Sequence, residues 1–276
     1  MDIVQRNLFR LIRSGAFEQK EQVEPMSAFK WGKLHQLAIM HDVADYVYKG
    51  LQRNKEQFFL RLTDKQWSQW ETTMNELRKK PRNDDEEPDE FLRADHLTNP
   101  LLNRKLQNIL DDEHSDTHTR QLLMMIIRCS RHILNEGVPI RQLIELAAYL
   151  RNDGRRADFT TLAQWLKSLS LQQVAKLQAS LLIALLGFEK EEIPFAGEKT
   201  DKNVEQVAQE LIDFTNTRAR DFYFQQDADS IFVHTNNGSA MLGHVRRSAR
   251  YFRYCPSETL TNFFASFAHS LSHIEE

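Results

Sequence analysis

The sequence predicts a predominantly all-α protein, an irregular multi-helix bundle, and three observations predict it. Apolar residues recur three and four positions apart through almost every segment, the period of a helix that turns one face to a core. Nine glycines and seven prolines in 276 residues are few for a loop-rich β protein. Strand-like texture is confined to Ser230–Gly238, where Ile231, Phe232 and Val233 run into Asn236-Asn237-Gly238. Asn-Gly favours a tight turn, so the stretch near 230–240 is either a small hairpin or an irregular loop.

Taken in order, Val4, Leu8, Leu11 and Ile12 share one face of a first helix that Gly15 is expected to end. Ser27 is placed to cap a second, which turns Trp31, Leu34, Leu37 and Ala38 inward; Val43, Val47 and Leu51 continue the pattern. Trp67, Trp70, Met74 and Leu77 mark another helix, with both tryptophans expected to anchor packing. The run PRNDDEEPDE then breaks the pattern with two prolines and a block of like charge, which reads as a solvated linker.

Beyond the linker, Leu97, Leu101, Leu102, Leu106, Ile109 and Leu110 outline a short helix, and Leu122 to Leu134 a strongly apolar one with Gly137 as its C-cap. Pro139 suits the first turn of the helix carrying Ile140, Leu143, Ile144, Ala147 and Leu150. Asp158 caps a helix with Leu162, Trp165 and Leu166. Leu171 to Leu186 is apolar nearly all round, which predicts the central buried helix, stopped at Gly187. A weaker helix starts near Val204. The last, from Ser257 as cap to Ile274, carries Leu260, Phe263, Phe264, Phe267, Leu271 and Ile274 as a stripe expected to pack back on the core. The organisation expected is an N-terminal helical region at 1–80, an acidic linker at 81–95 and a C-terminal helical region at 96–276. The two helical regions are able to form one compact domain.

Composition excludes several classes. Thirty-six basic against 39 acidic residues leave a net charge of −3, unlike a protein whose whole surface grips a polyanion. Cys129 and Cys255 stand far apart, which predicts a reducing, cytoplasmic setting without a disulfide framework. The N-terminus lacks the apolar run of a signal peptide, and no stretch is long enough for a transmembrane segment. Gly-rich phosphate loops, H-E-x-x-H and G-x-S-x-G are all absent from the sequence.

The remaining candidates are sparse. Asp111, His114 and His118 would share a face if they lay on one helix and would then suit a metal; a solvated helix start explains so polar a run equally well. His269, His273 and Glu276 form a second such group, and Asp84, Asp85, Glu86 and Glu87 an acidic one. Asp227 and Asp229 form an Asp-x-Asp pair of the kind that holds Mg2+ in nucleotidyl transfer, although turn residues explain them more simply. In HVRRSARYFRYCP, Arg246, Arg250 and Arg253 alternate with Tyr251, Phe252 and Tyr254. That pattern suits single-stranded nucleic acid, or a core filled by aromatics with arginines reaching solvent.

Three phrases carry a resemblance. KWGKLHQLAIMHDVADYVYKGL at 30–51, EGVPIRQLIELAAYLR at 136–151 and the ending from 246 resemble the helical N- and C-terminal parts of a bacterial family of uncharacterised nucleotidyltransferases. Arg141-Gln142-Leu143 matches an Arg-Gln-Leu motif, with Glu145 where the pattern has Asp, and His41-Asp42-Val43 replaces His-Gly-Val. Members carry a Lys-Gly segment and a Gly-Asp-x-Asp strand between the two helical parts, and the interval from Lys80 to Leu122 contains neither. The resemblance therefore implies a helical shell whose catalytic insert is missing, with no catalytic residue carried over and no cofactor expected. The function expected is that of a non-catalytic interaction or accessory protein, with a protein partner or self-association. The alternatives are a divergent Mg2+-dependent nucleotidyltransferase using Asp227 and Asp229, and single-stranded nucleic-acid binding through 244–254.

Overall fold

A computed structural model describes residues 1–79, 93–135, 140–197, 204, 206–208, 249 and 251–272, with side chains to 265. Within them the protein is predominantly all-α and contains no strand. The helices are α1 (Ile3–Phe17), α2 (Ala28–Met40), α3 (Ala44–Arg53), α4 (Asp64–Lys79), α5 (Pro100–Leu110), α6 (Thr117–Asn135), α7 (Ile140–Asn152), α8 (Phe159–Ser168), α9 (Gln172–Leu186) and α10 (Pro256–Ser272). Short 3-10 turns at 154–156, 190–192 and 194–196 join some of them. The linker core, the stretch near 230–240 and Gly137 lie outside the described residues. At the linker's far end Ala94 is already buried, and Arg93 pairs with Asp95 at 2.8 Å.

Local chemistry explains most of the helix starts. Asp2 and Gln5 form a reciprocal capping box on α1, each side chain accepting from the other's backbone N–H at 2.9 Å. Ser27 caps α2, Asn99 caps α5 ahead of Pro100, and Asp158 caps α8. Gly187 ends α9 at φ 67°, the left-handed conformation expected there.

Gly15 does not end α1. The helix continues to Phe17, and Glu18 takes the left-handed position at φ 59°. Gly15 is an interior glycine because α1 and α3 cross with their backbones almost in contact. A Cβ on Gly15 would lie 1.9 Å from the Tyr46 carbonyl oxygen, and one on Gly50 2.1 Å from that of Leu11. Only glycine at both positions permits so close a crossing.

The α1–α3 pair packs against α2 and α4 and meets the helices beyond the linker through α9 and α7. Arg13 donates to the Leu185 carbonyl at 2.9 Å, at the C-terminal end of α9. The central position of α9 follows from its composition: Val174, Leu177, Leu181, Leu182 and Leu185 are all buried. Gln178, also buried, donates to the Ile126 carbonyl and the Ser130 hydroxyl of α6 at 3.0 and 2.9 Å. Side chains from 1–79 and from beyond 96 belong to one hydrophobic cluster. Trp70 is fully buried, stacked on Tyr48 with His35 against its edge, whereas Trp67 is only partly covered. Leu101 points outward at 76% exposure, so α5 buries Leu102 and Leu106 instead.

Candidate functional site

The two described helical phrases of the resemblance meet in space. The α2–α3 turn carries His41, Asp42 and Val43, tied back by Val43 N–H donating to the Ala38 carbonyl at 2.8 Å. Asp42 sits at φ 54°. That conformation favours glycine, and Asp is among the few side chains that tolerate it. From the first turn of α7, Arg141 donates to the Asp42 carbonyl at 2.8 Å and to the Asp45 carboxylate at 3.1 Å. Its Nε donates to Glu145 at 3.1 Å, and the guanidinium lies 5.1 Å from the centre of the Tyr46 ring. Glu145 follows Arg141 by one helical turn, within reach of its guanidinium.

Burial opposes the charge on Arg141, yet Asp45, Tyr46, Asp42 and Glu145 together raise its pKa above the ordinary value. Burial likewise raises Asp42, with Arg141 pulling the other way. Beside this clasp His41 is buried, and that burial pushes its imidazole down to about 4, so it is neutral at neutral pH. Among the described residues its Nε2 has no hydrogen-bond partner, nor has the side-chain oxygen of Gln142. The clasp fastens α7 onto the α2–α3 turn. Both cysteine thiols lie elsewhere in the core, buried and pushed up to about 12.

The other predicted residues separate. Asp111 is the C-cap of α5, His114 lies in the turn that follows with its side chain 97% exposed, and His118 belongs to α6, where its Nδ1 is 3.3 Å from the Tyr149 hydroxyl. They do not share a helix, because α5 ends before them and α6 starts only at Thr117. Among the described residues no group of three or more His, Cys, Asp or Glu could hold a metal ion.

Tyr251 is buried at 4% exposure and Tyr254 at 5%, which removes both rings from base stacking. Arg253 donates to the Tyr254 hydroxyl at 2.6 Å and lies over its ring. Phe252, between the two tyrosines in sequence, is 48% exposed. Asp227, Asp229, Arg246, Arg250, His273, Glu276 and the acidic run at 84–87 lie outside the described residues, as does the side chain of His269.

The terminal helix departs furthest from its sequence pattern. α10 starts at Pro256, with Ser257 inside its first turn. Glu258, Thr259 and Asn262 are buried, at 1, 2 and 3% exposure, while Leu260 is 49% and Phe264 59% exposed and Phe263 is half-buried. Glu258 and the Asn262 amide face inward onto polar partners, whereas the Thr259 hydroxyl has no hydrogen-bond partner among the described residues. Arg131 of α6, itself 1% exposed, donates to Glu258 at 2.9 Å. The same carboxylate accepts from Thr98 N–H at 2.6 Å, the Thr98 hydroxyl at 2.8 Å and Asn99 N–H at 3.1 Å. Asn262 donates to Asn135 at 2.8 Å. Phe267 lies beyond the last described side chain.

Glu258 is the functional-looking residue that its sequence neighbourhood conceals, since beside a helix start it suggests only a favourable dipole contact. The available signal was the spacing 258, 261 and 262, which gives α10 a polar stripe of the same helical period as its apolar one. No family model, curated protein or solved structure matches the chain. Among the described residues no helix is long and apolar enough to cross a membrane.

Proposed function

We propose that the chain is a non-catalytic helical interaction protein, akin to the helical shell of nucleotidyltransferase-like proteins, that pairs with a second copy of itself through the outer face of α10. One observation carries this reading. The described part of the interval from Lys80 to Leu122, residues 93–122, holds only a packed segment, α5, a turn and the start of α6. That interval is where a metal-binding strand would have to stand. The Arg141 clasp supports the same reading, since it joins the two helical phrases directly.

The outer face of α10 supplies the surface. Leu260 and Phe264 project from it, and Leu101 projects from the first turn of α5, which is bound to α10 through Thr98, Asn99 and Glu258. From Ser257 to Ser272 the sequence has no Lys or Arg, and its one carboxylate, Glu258, is turned inward. A neutral apolar face can meet its own copy about a two-fold axis without like-charge repulsion.

Sedimentation over a range of concentrations tests the pairing. The wild type is expected to shift toward twice the monomer mass. Phe264→Asp is expected to stay monomeric with an unchanged melting temperature. A wild type that is monomeric throughout contradicts the pairing, and a Phe264→Asp variant that melts early shows the ring to be internal.

A further inference from the structure

The loop between α3 and α4 places two phenylalanines where a tight turn normally carries polar residues or glycine. Leu60 N–H donates to the Gln57 carbonyl at 3.0 Å, which closes a β-turn with Phe58 and Phe59 at its corners. Phe58 is 70% and Phe59 42% exposed, their rings edge to face at 5.3 Å.

The turn is held firmly from behind. Gln57 accepts from Val23 N–H at 2.9 Å and donates to the Glu21 carbonyl at 2.6 Å and the Asn54 side chain at 2.5 Å. Asn54 and Leu60, on either side of the turn, are buried. Two apolar rings are thus fixed at a convex corner with their ordering cost already met by the fold.

The surroundings are cationic. Arg61 lies over the Phe58 ring at 4.3 Å, and Lys55 over Trp67 in the first turn of α4 at 5.7 Å. Gln66 of α4 donates to the Ala28 carbonyl at 2.8 Å, which brings the start of α2 to the same end of the molecule. There Phe29 is 71% exposed, with Lys33 over its ring at 4.9 Å. Within 28–33 and 55–67 the exposed charges are Lys30, Lys33, Lys55, Arg61 and Lys65 against Glu56 and Asp64. The neighbouring Glu21 and Glu24 are engaged by Arg13, Arg6 and Arg10. A local excess of positive charge around projecting phenyl rings stands out in a chain of net charge −3.

We infer that this end of the molecule is a peripheral docking surface for an anionic lipid bilayer, with Phe58 and Phe59 entering the acyl boundary and Lys55, Arg61, Lys30 and Lys33 meeting lipid phosphates. A soft bilayer accepts a convex apolar corner that has no groove around it, and it offers a diffuse negative field to several separate cations. The inference is independent of pairing through α10.

Flotation with vesicles tests it, using phosphatidylserine mixed with phosphatidylcholine against phosphatidylcholine alone. The wild-type chain is expected to float with the mixed vesicles at low salt and to be released as salt rises. The double variant Phe58→Ser, Phe59→Ser should lose about tenfold or more in partitioning, the scale expected when even one buried ring is removed. Its circular dichroism should be unchanged, because neither ring belongs to the hydrophobic core cluster. Arg61→Glu should weaken flotation on mixed vesicles alone. The inference is overturned by a wild type that stays in solution with both vesicle types at low salt, or by equal flotation of the Ser variant. A chain that ignores vesicles while the Ser variant abolishes a concentration-dependent mass increase would make the turn a protein contact, which also overturns it.

Discussion

Glu258→Ala should destabilise the protein by about 3–5 kcal/mol, the usual cost of removing one partner from a buried ion pair. Glu258 and Arg131 are each only 1% exposed, so the guanidinium is left in the interior when the carboxylate is removed. The same substitution removes the acceptor for Thr98 N–H and Asn99 N–H, the two backbone donors that lead into α5. A chain of this length should then melt roughly 6–15 °C lower. The double replacement Arg131→Met, Glu258→Leu should recover the part of the loss due to the unpaired charge, while the Thr98 and Asn99 N–H donors stay without their acceptor. Thermal unfolding followed by circular dichroism gives both numbers. A loss below about 1 kcal/mol for Glu258→Ala would mean that α10 is not held by this pair.

Gly50→Ala should cost about 3 kcal/mol or more, at the upper end of what overpacking does. The sign is the informative part, since glycine to alanine inside a helix ordinarily gains about 0.5–1 kcal/mol. At Gly50 the new methyl meets the Leu11 carbonyl oxygen at 2.1 Å and its carbon at 2.8 Å, backbone atoms that can yield only if α1 moves. Gly32 in α2 supplies the control, because a Cβ added there would meet nothing within 4 Å. Gly32→Ala should stabilise, and Gly50→Ala should do the reverse in the same denaturant titration. Equal effects at the two sites would contradict the close α1–α3 crossing.

These two residues also mark where the sequence was legible and where it was not. Amphipathic period and capping chemistry are local, and they led correctly to Ser27, Asp158, Gly187 and the buried α9. Gly15 has the look of a helix stop, but the reason for it is not local: the glycine answers to α3, some thirty residues away. The terminal helix differs in another way. Its apolar and polar residues both recur at helical spacing, so the side that faces inward depends on Arg131 and on the amides of Thr98 and Asn99. None of these is adjacent in sequence.

The candidate site was legible in part for the same reason. The phrases at 30–51 and 136–151 were visible as text, whereas their meeting through Arg141 and Asp42 is a tertiary fact. The Asp111, His114 and His118 grouping requires one continuous helix, and the chain instead turns between α5 and α6.

A nucleotidyltransferase must bind a nucleoside triphosphate with its metal, and isothermal titration of the full chain with Mg2+ and each nucleoside triphosphate tests the non-catalytic account most directly. The expected result is heat of dilution alone for every nucleotide, with and without the metal. Saturable, Mg2+-dependent binding in the micromolar range, lost on Asp227→Asn or Asp229→Asn, would contradict it and favour the nucleotidyltransferase alternative.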